Sequence, residues 1–235
     1  MMSIADNLNR VRERVEKAVS LAQRPAGDCR LLAVSKTRSA DEIRSLAELG
    51  QLDFGENYLQ EALDKMSELA DLPLQWHFIG PIQSNKTRSI AESFSWVHSV
   101  DRLKIARRLS EQRPDNLPPL NVCLQINIDD EDSKSGCSVE EAAQLAEEIC
   151  QLERVVLRGL MAIPDPEQSD EAIASSFQRL ADLLEQLKAT LPCGQSLDTL
   201  SMGMSGDLDS AIAAGSTCVR VGTAIFGERP AKTES

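Results

Sequence analysis

Apolar side chains at Ile4, Leu8, Val11, Val15, Val19 and Ala22 recur at three-to-four spacing, with Arg, Glu and Lys on the other side. That period predicts an amphipathic helix over residues 4–22. From residue 30 the pattern changes to short apolar runs: RLLAVS, LDFGEN, LQWHFIG, WVHSV, LNVCLQINI, VVLRGLMAI, LDTLSMG and TCVRVG. Each has strand length, and helix-periodic segments separate them near 40–50, 57–70, 85–94, 101–112, 138–152, 168–190 and 206–214. Such alternation argues for parallel strands, because each helical crossover returns the chain to the same edge. Eight βα units predict an α/β fold, a closed (β/α)8 TIM-type barrel with an extra N-terminal helix. The count disfavours an open, doubly wound sheet. No Pro/Gly-rich linker or repeat marks a boundary, so the expected organisation is one domain over 1–235. Within it, 1–28 form the helix and linker, 29–229 the barrel and 230–235 a tail.

Composition narrows the function. The formal net charge over 235 residues is -12, a field that repels phosphate backbones and anionic lipid, so neither nucleic acid nor a membrane is an expected partner. The first 24 residues lack the apolar core of a signal peptide, and no stretch approaches a membrane span, so the expected location is the cytoplasm. Six cysteines show no C-x-x-C pair, and there are two histidines. Reduced thiols, and no metal site, are the expectation.

Candidate chemistry lies where strands end, since the C-terminal ends of barrel strands build the active site. Period-two alternation puts Leu32, Val34 and Lys36 on one face, which aims Lys36 into the barrel mouth. A partly desolvated lysine there is a Schiff-base nucleophile; a solvated strand-end lysine is the plain alternative. After strand seven, SMGMSGDLDSAIAAGS carries small residues from Ser201 to Gly206 and predicts a helix from near Ser205 to Gly215. The loops after strands seven and eight are the usual phosphate site of such barrels. In the last of them Gly222 permits close backbone approach and Thr223 adds a hydroxyl. Asp207 and Asp209 argue against a phosphate, and with Ser205 they have a simpler reading as helix caps. Arg220 shares a face with Gly222, so its guanidinium points inward and needs an acceptor, either a core partner or a ligand. A lysine on one side with a phosphate cradle and arginine on the other suits pyridoxal 5'-phosphate (PLP).

The motifs AVSKT around Lys36, FGENYLQEA at 54–62, WHFIGPIQSNK at 76–86, SKSG at 133–136, GLMAI at 159–163, LSMGMSGDL at 200–208 and VRVGTAIFGER at 219–229 together make the chain resemble the pyridoxal-phosphate homeostasis family. That family is related to the barrel domain of alanine racemase. The resemblance implies PLP in Schiff-base linkage to Lys36. It further implies phosphate held by Ser201, Ser205, Gly222 and Thr223, Arg220 facing the pyridine nitrogen, and Asn57 near the cofactor. His77 is open to a structural or an acid–base reading. Lys86 and Lys134 read as surface lysines or as transient holders of an aldehyde.

Catalysis with PLP needs a second acid or base and a ring nitrogen of suitable charge. Racemases resembling this barrel take a catalytic tyrosine from a second domain, whereas the sole tyrosine here is Tyr58 and the chain ends soon after strand eight. The expectation is a non-catalytic PLP carrier that buffers or delivers cofactor to apo PLP-dependent enzymes, influences amino-acid and oxo-acid balance, and is a monomer. Two alternatives stand: a weak PLP-dependent racemase or lyase, and a Schiff-base aldolase on a phosphorylated substrate.

Overall fold

The computed structural model describes residues 3–130 and 135–228. The strands are β1 (Arg30–Val34), β2 (Asp53–Glu56), β3 (Gln75–Phe78), β4 (Trp96–Val100), β5 (Leu120–Gln125), β6 (Val155–Met161), β7 (Thr199–Ser201) and β8 (Cys218–Val221). They pair in chain order, and β8 pairs in parallel with β1 to close the barrel. Around them run α1 (Ile4–Leu21), α2 (Ala40–Glu48), α3 (Leu59–Glu68), α4 (Thr87–Ser93), α5 (Leu103–Gln112), α6 (Val139–Cys150), α7 (Asp170–Thr190), α8 (Leu208–Ala213) and α9 (Thr223–Phe226). The expected barrel and its preceding helix are both present. Lys134 lies outside the described residues.

Strand parity divides two kinds of interior. Outward residues such as Phe54, Phe78, Val97 and Leu160 are buried under the helices, and Phe78 meets Phe94 edge to face with ring centroids 5.3 Å apart. This shell holds most of the buried apolar surface and drives folding. Inside the barrel, Trp96, Cys123 and Met161 form a separate small apolar cluster. The rest of the inner wall is largely polar.

Helix α1 buries the expected stripe, Leu8, Val11, Val15, Ala18 and Val19. Ser3 starts it with a capping box, accepting from Asp6 N–H and satisfying one of the donors a helix start leaves open. It packs against α8 and α9, so the added helix backs the loops that follow β7 and β8. Arg14 donates to the Ser205 carbonyl at 2.7 Å and pairs with Asp209, and Asn7 donates to the Ile225 carbonyl at 3.0 Å.

Two expectations need correction. The helix after β7 starts at Leu208, not near Ser205, because residues 205–207 form a turn in which the Asp207 carboxylate accepts from Met204 N–H. The cysteines are not all reduced: Cys150 and Cys193, 43 residues apart, form a disulfide with Cα atoms 5.9 Å apart. Only the fold brings the end of α6 beside the segment after α7, so no spacing rule could reveal the pair. Cys29, Cys123, Cys137 and Cys218 are free and buried. Burial pushes the Cys29 and Cys137 thiols up to about 12 and Cys218 to about 11, so they stay protonated. Among the described residues no helix is long and apolar enough to cross a membrane.

Candidate functional site at the C-terminal mouth of the barrel

The seam between β8 and β1 gathers most of the sequence candidates. Leu32 lies opposite Arg220 and Ala33 opposite Val221. One step further, Gly222 faces Val34 so closely that an added Cβ would sit 3.2 Å from the Val34 carbonyl oxygen. Any larger residue would have to displace that strand end. Lys36, two residues beyond β1, is half-buried, and Thr223 opens α9 as an exposed residue. Asn57 follows β2 on the inward parity. The absence of a side chain at Gly80 lets the next strand's loop press against the Asn57 backbone. The Asn57 Oδ1 is buried with no hydrogen-bond partner among the described residues, which is costly unless a ligand supplies a donor. Asn57 lines a cavity of about 300 Å3 with Ile79, Gln125, Asn127 and Ile163.

Arg220 is 4% exposed. Its Nη1 donates to the Ser201 carbonyl at 2.5 Å and hydroxyl at 2.8 Å, and its Nη2 to the Ala162 carbonyl at 3.0 Å. Burial lowers its pKa from the ordinary guanidinium value, yet that value is high enough to keep it charged at neutral pH.

The resemblance implies a phosphate role for Ser201; in the structure the residue is fully buried, with its hydroxyl engaged inside the barrel. It lies 2.7 Å from His98 Nδ1; His98 Nε2 lies 2.9 Å from His77 Nδ1; and His77 Nε2 lies 3.1 Å from Asp53 Oδ1. One proton arrangement satisfies every member with both imidazoles neutral. Arg220 donates to Ser201, Ser201 to His98, His98 to His77, and His77 to Asp53. Burial lowers the pKa of both histidines, with Asp53 opposing the shift at His77. Asp53 is lowered by its contact with His77, against the effect of its own burial. His77 is therefore a link in the barrel interior, remote from the mouth in its strand. His98 escaped the sequence reading altogether.

The remaining candidates scatter. Ser205 lies in the turn before α8 with its carbonyl tied to Arg14. Asp209 pairs with Arg14, and the Asp207 carboxylate accepts from Met204 N–H. Lys86 is exposed at the start of α4, which has no side-chain cap. Tyr58 is 54% exposed where α3 begins.

At the opposite, N-terminal mouth a cavity of about 220 Å3 is lined by Arg30, Trp96, Arg158 and Asp198 among others. Both guanidinium groups stack on the Trp96 ring, at 5.2 and 5.0 Å. Arg30 pairs with Asp53, and Arg158 with Asp198. With each cation matched to a carboxylate and an aromatic face, this end is built as a floor, in keeping with the stability role of that face in such barrels.

The family model for the alanine racemase N-terminal domain matches residues 6–230. A curated relative from Pseudomonas aeruginosa, called pyridoxal phosphate homeostasis protein, is 58% identical over 229 residues, covering 97% of each chain. The chain belongs to the pyridoxal phosphate homeostasis protein family. Among solved structures, PipY of Synechococcus elongatus with PLP bound superposes with a TM-score of 0.79 at 36% identity, covering 91% of this chain and all of that one. Alanine racemase of Corynebacterium glutamicum reaches a TM-score of 0.65 at 16% identity, over 97% of this chain and 63% of its own, and shares the barrel fold.

Proposed function

We propose that the chain binds PLP at the C-terminal mouth and serves as a cofactor carrier, taking it up and releasing it without turning over amino acids. The observation that carries this reading is the seam itself, where Lys36 and Gly222 follow one strand pair with a buried Arg220 that has, among the described residues, no carboxylate as hydrogen-bond partner. The residues fit the group: Asn57 Oδ1 is an orphaned acceptor among the described residues, and the bare Gly222 lets the start of α9 close against the end of β1, beside Lys36. PLP, when bound, supplies an aldehyde that condenses with a primary amine with loss of water.

Lys36 would contribute that amine. Ser205, Gly222 and Thr223 would hold the phosphate. Ser201, first read as a phosphate ligand, would instead orient Arg220. Arg220, already a donor, would face the pyridine nitrogen and keep it unprotonated, which suits storage better than carbanion chemistry. The family name of the relatives and the PLP-bound PipY support the reading. It extends to a monomer in the cytoplasm whose clients are apo PLP-dependent enzymes.

The test is borohydride reduction of PLP-loaded protein followed by peptide mapping. The pyridoxyl label is expected on Lys36 and lost in Lys36→Ala. Label concentrated on Lys86 or Lys134 would sink the assignment.

A further inference from the structure

Lys65 lies on the inner side of α3, 5% exposed. A buried ammonium is retained only where acceptors surround it. Its Nζ donates to the Glu56 carboxylate at 2.8 Å, to Glu61, and to the Ser35 carbonyl at 2.7 Å. Glu56, fully buried, also accepts from the Ser35 hydroxyl at 2.6 Å. Glu61 accepts from the Thr37 backbone N–H at 2.5 Å. Both peptide groups flanking Lys36 are thus gripped by one cluster: Ser35–Lys36 through its carbonyl, and Lys36–Thr37 through its N–H.

Parity explains the arrangement. On the strand-parity reading Lys36 and Asn57 face the mouth, and Ser35 and Glu56 face outward, under α3, where Lys65 meets both. The turn needs restraint, since Thr37 has φ 65°, a left-handed conformation that a β-branched residue keeps only when its surroundings impose it. The Ser35 carbonyl accepts from Arg38 N–H as well, at 3.0 Å, which closes the same turn.

We propose that Lys65, Glu56 and Glu61 are positioning residues that lock the Ser35–Lys36–Thr37 turn from outside the barrel and so keep the Lys36 amine aimed into the mouth. The inference rests on Lys36 as the residue of cofactor attachment. The cluster also ties the turn after β1 to the end of β2, fixing Lys36 relative to Asn57.

Two variants test it. Glu61→Ala removes the acceptor of Thr37 N–H from a side chain already 29% exposed, so folding should survive. The double variant Glu56→Gln/Lys65→Met removes both buried charges together, leaving neither unpaired. In apo protein, hydrogen exchange at the Thr37 amide should accelerate about tenfold or more in Glu61→Ala, the scale of one hydrogen bond to a charged group, and by less in the double variant, where Glu61 keeps Thr37 N–H but loses Lys65. PLP uptake, followed by visible absorbance and by borohydride trapping on Lys36, should slow about tenfold. Glu61→Gln, which keeps the acceptor oxygen, should restore most of the protection. Unchanged exchange at Thr37, or unchanged uptake beside a lowered urea midpoint, would reduce the cluster to a stabilising ion pair and overturn the proposal. Wild-type protein carrying its label elsewhere than Lys36 would defeat the parent reading instead, while the exchange data still judge the lock.

Discussion

Ser201, His98, His77 and Asp53 hand one another's protons in a single direction away from Arg220, and the two imidazoles must stay neutral for that order to hold. Both histidines have pKa values lowered by burial, whereas in the unfolded chain each returns to about 6.5. Below that value the unfolded state binds more protons than the folded one, so stability is full above pH ~6.5 and is lost as pH falls beneath it. The unfolding free energy from urea titrations should therefore fall between pH 7.5 and 5.5, by up to about 1.4 kcal/mol per pH unit for each histidine. A variant with both histidines replaced by glutamine should lose that slope whatever its absolute stability. A slope that persists would place the titration elsewhere. Strand parity made the shared inward face of Lys36, Arg220 and Gly222 legible from sequence, because period two needs only the strand itself, whereas Asn57 came from the family resemblance alone. The relay was not, since its partners lie 21 to 103 residues apart and nothing local marks them. Lys65 left a fainter trace: a lysine three residues after buried Ala62, on the inner side of α3, with Glu61 four residues before it.

Helix α1 changes meaning once its neighbours are known. From sequence it was an addition in front of the barrel; in the structure it holds the turn before α8 through Arg14 and the end of α9 through Asn7. Those are the elements assigned to the phosphate, so α1 is expected to set the rigidity of that half of the site. Arg14→Ala should weaken PLP binding about threefold to tenfold, within the range of one or two partly exposed charged contacts. Pyridoxal, which lacks the phosphate, should be affected less. A larger residue at Gly222 acts on the same element more severely, because its side chain would press on the Val34 carbonyl. If Gly222→Val costs two charge-assisted hydrogen bonds to phosphate, PLP binding should drop by about two to four orders of magnitude. Equal losses for PLP and pyridoxal in fluorescence titrations would move the phosphate away from both elements. The alternation of elements was readable because parallel strands under helices appear as short continuous apolar runs. The start of α8 was not, because residues 205–207 carry helix-start residue types but fold as a turn held by Arg14 and Met204.

At the scale of the whole molecule the question is whether a barrel with this mouth can also catalyse. Turnover of amino acids on PLP needs a base near the substrate carbon and a ring nitrogen that draws electrons. The sole tyrosine, Tyr58, is 54% exposed at the start of α3, and both histidines are buried in the relay. Arg220 shares its donors among Ser201 and Ala162, and on the proposed pose it would face the ring nitrogen, where an electron sink would require a carboxylate. On the proposed pose the chain would hold the cofactor by its amine and phosphate contacts more than activate it. Mixing PLP-loaded protein with an apo PLP-dependent enzyme should restore that enzyme's activity. Lys36→Ala loaded to the same total PLP should release it faster, since only noncovalent contacts remain. Incubation with L- and D-amino acids should change the visible spectrum slowly and yield no product. Sustained racemisation or decarboxylation near the median enzyme rate, on the order of 10 per second, would show that some other residue at the mouth supplies the missing base and would return the protein to the enzymes.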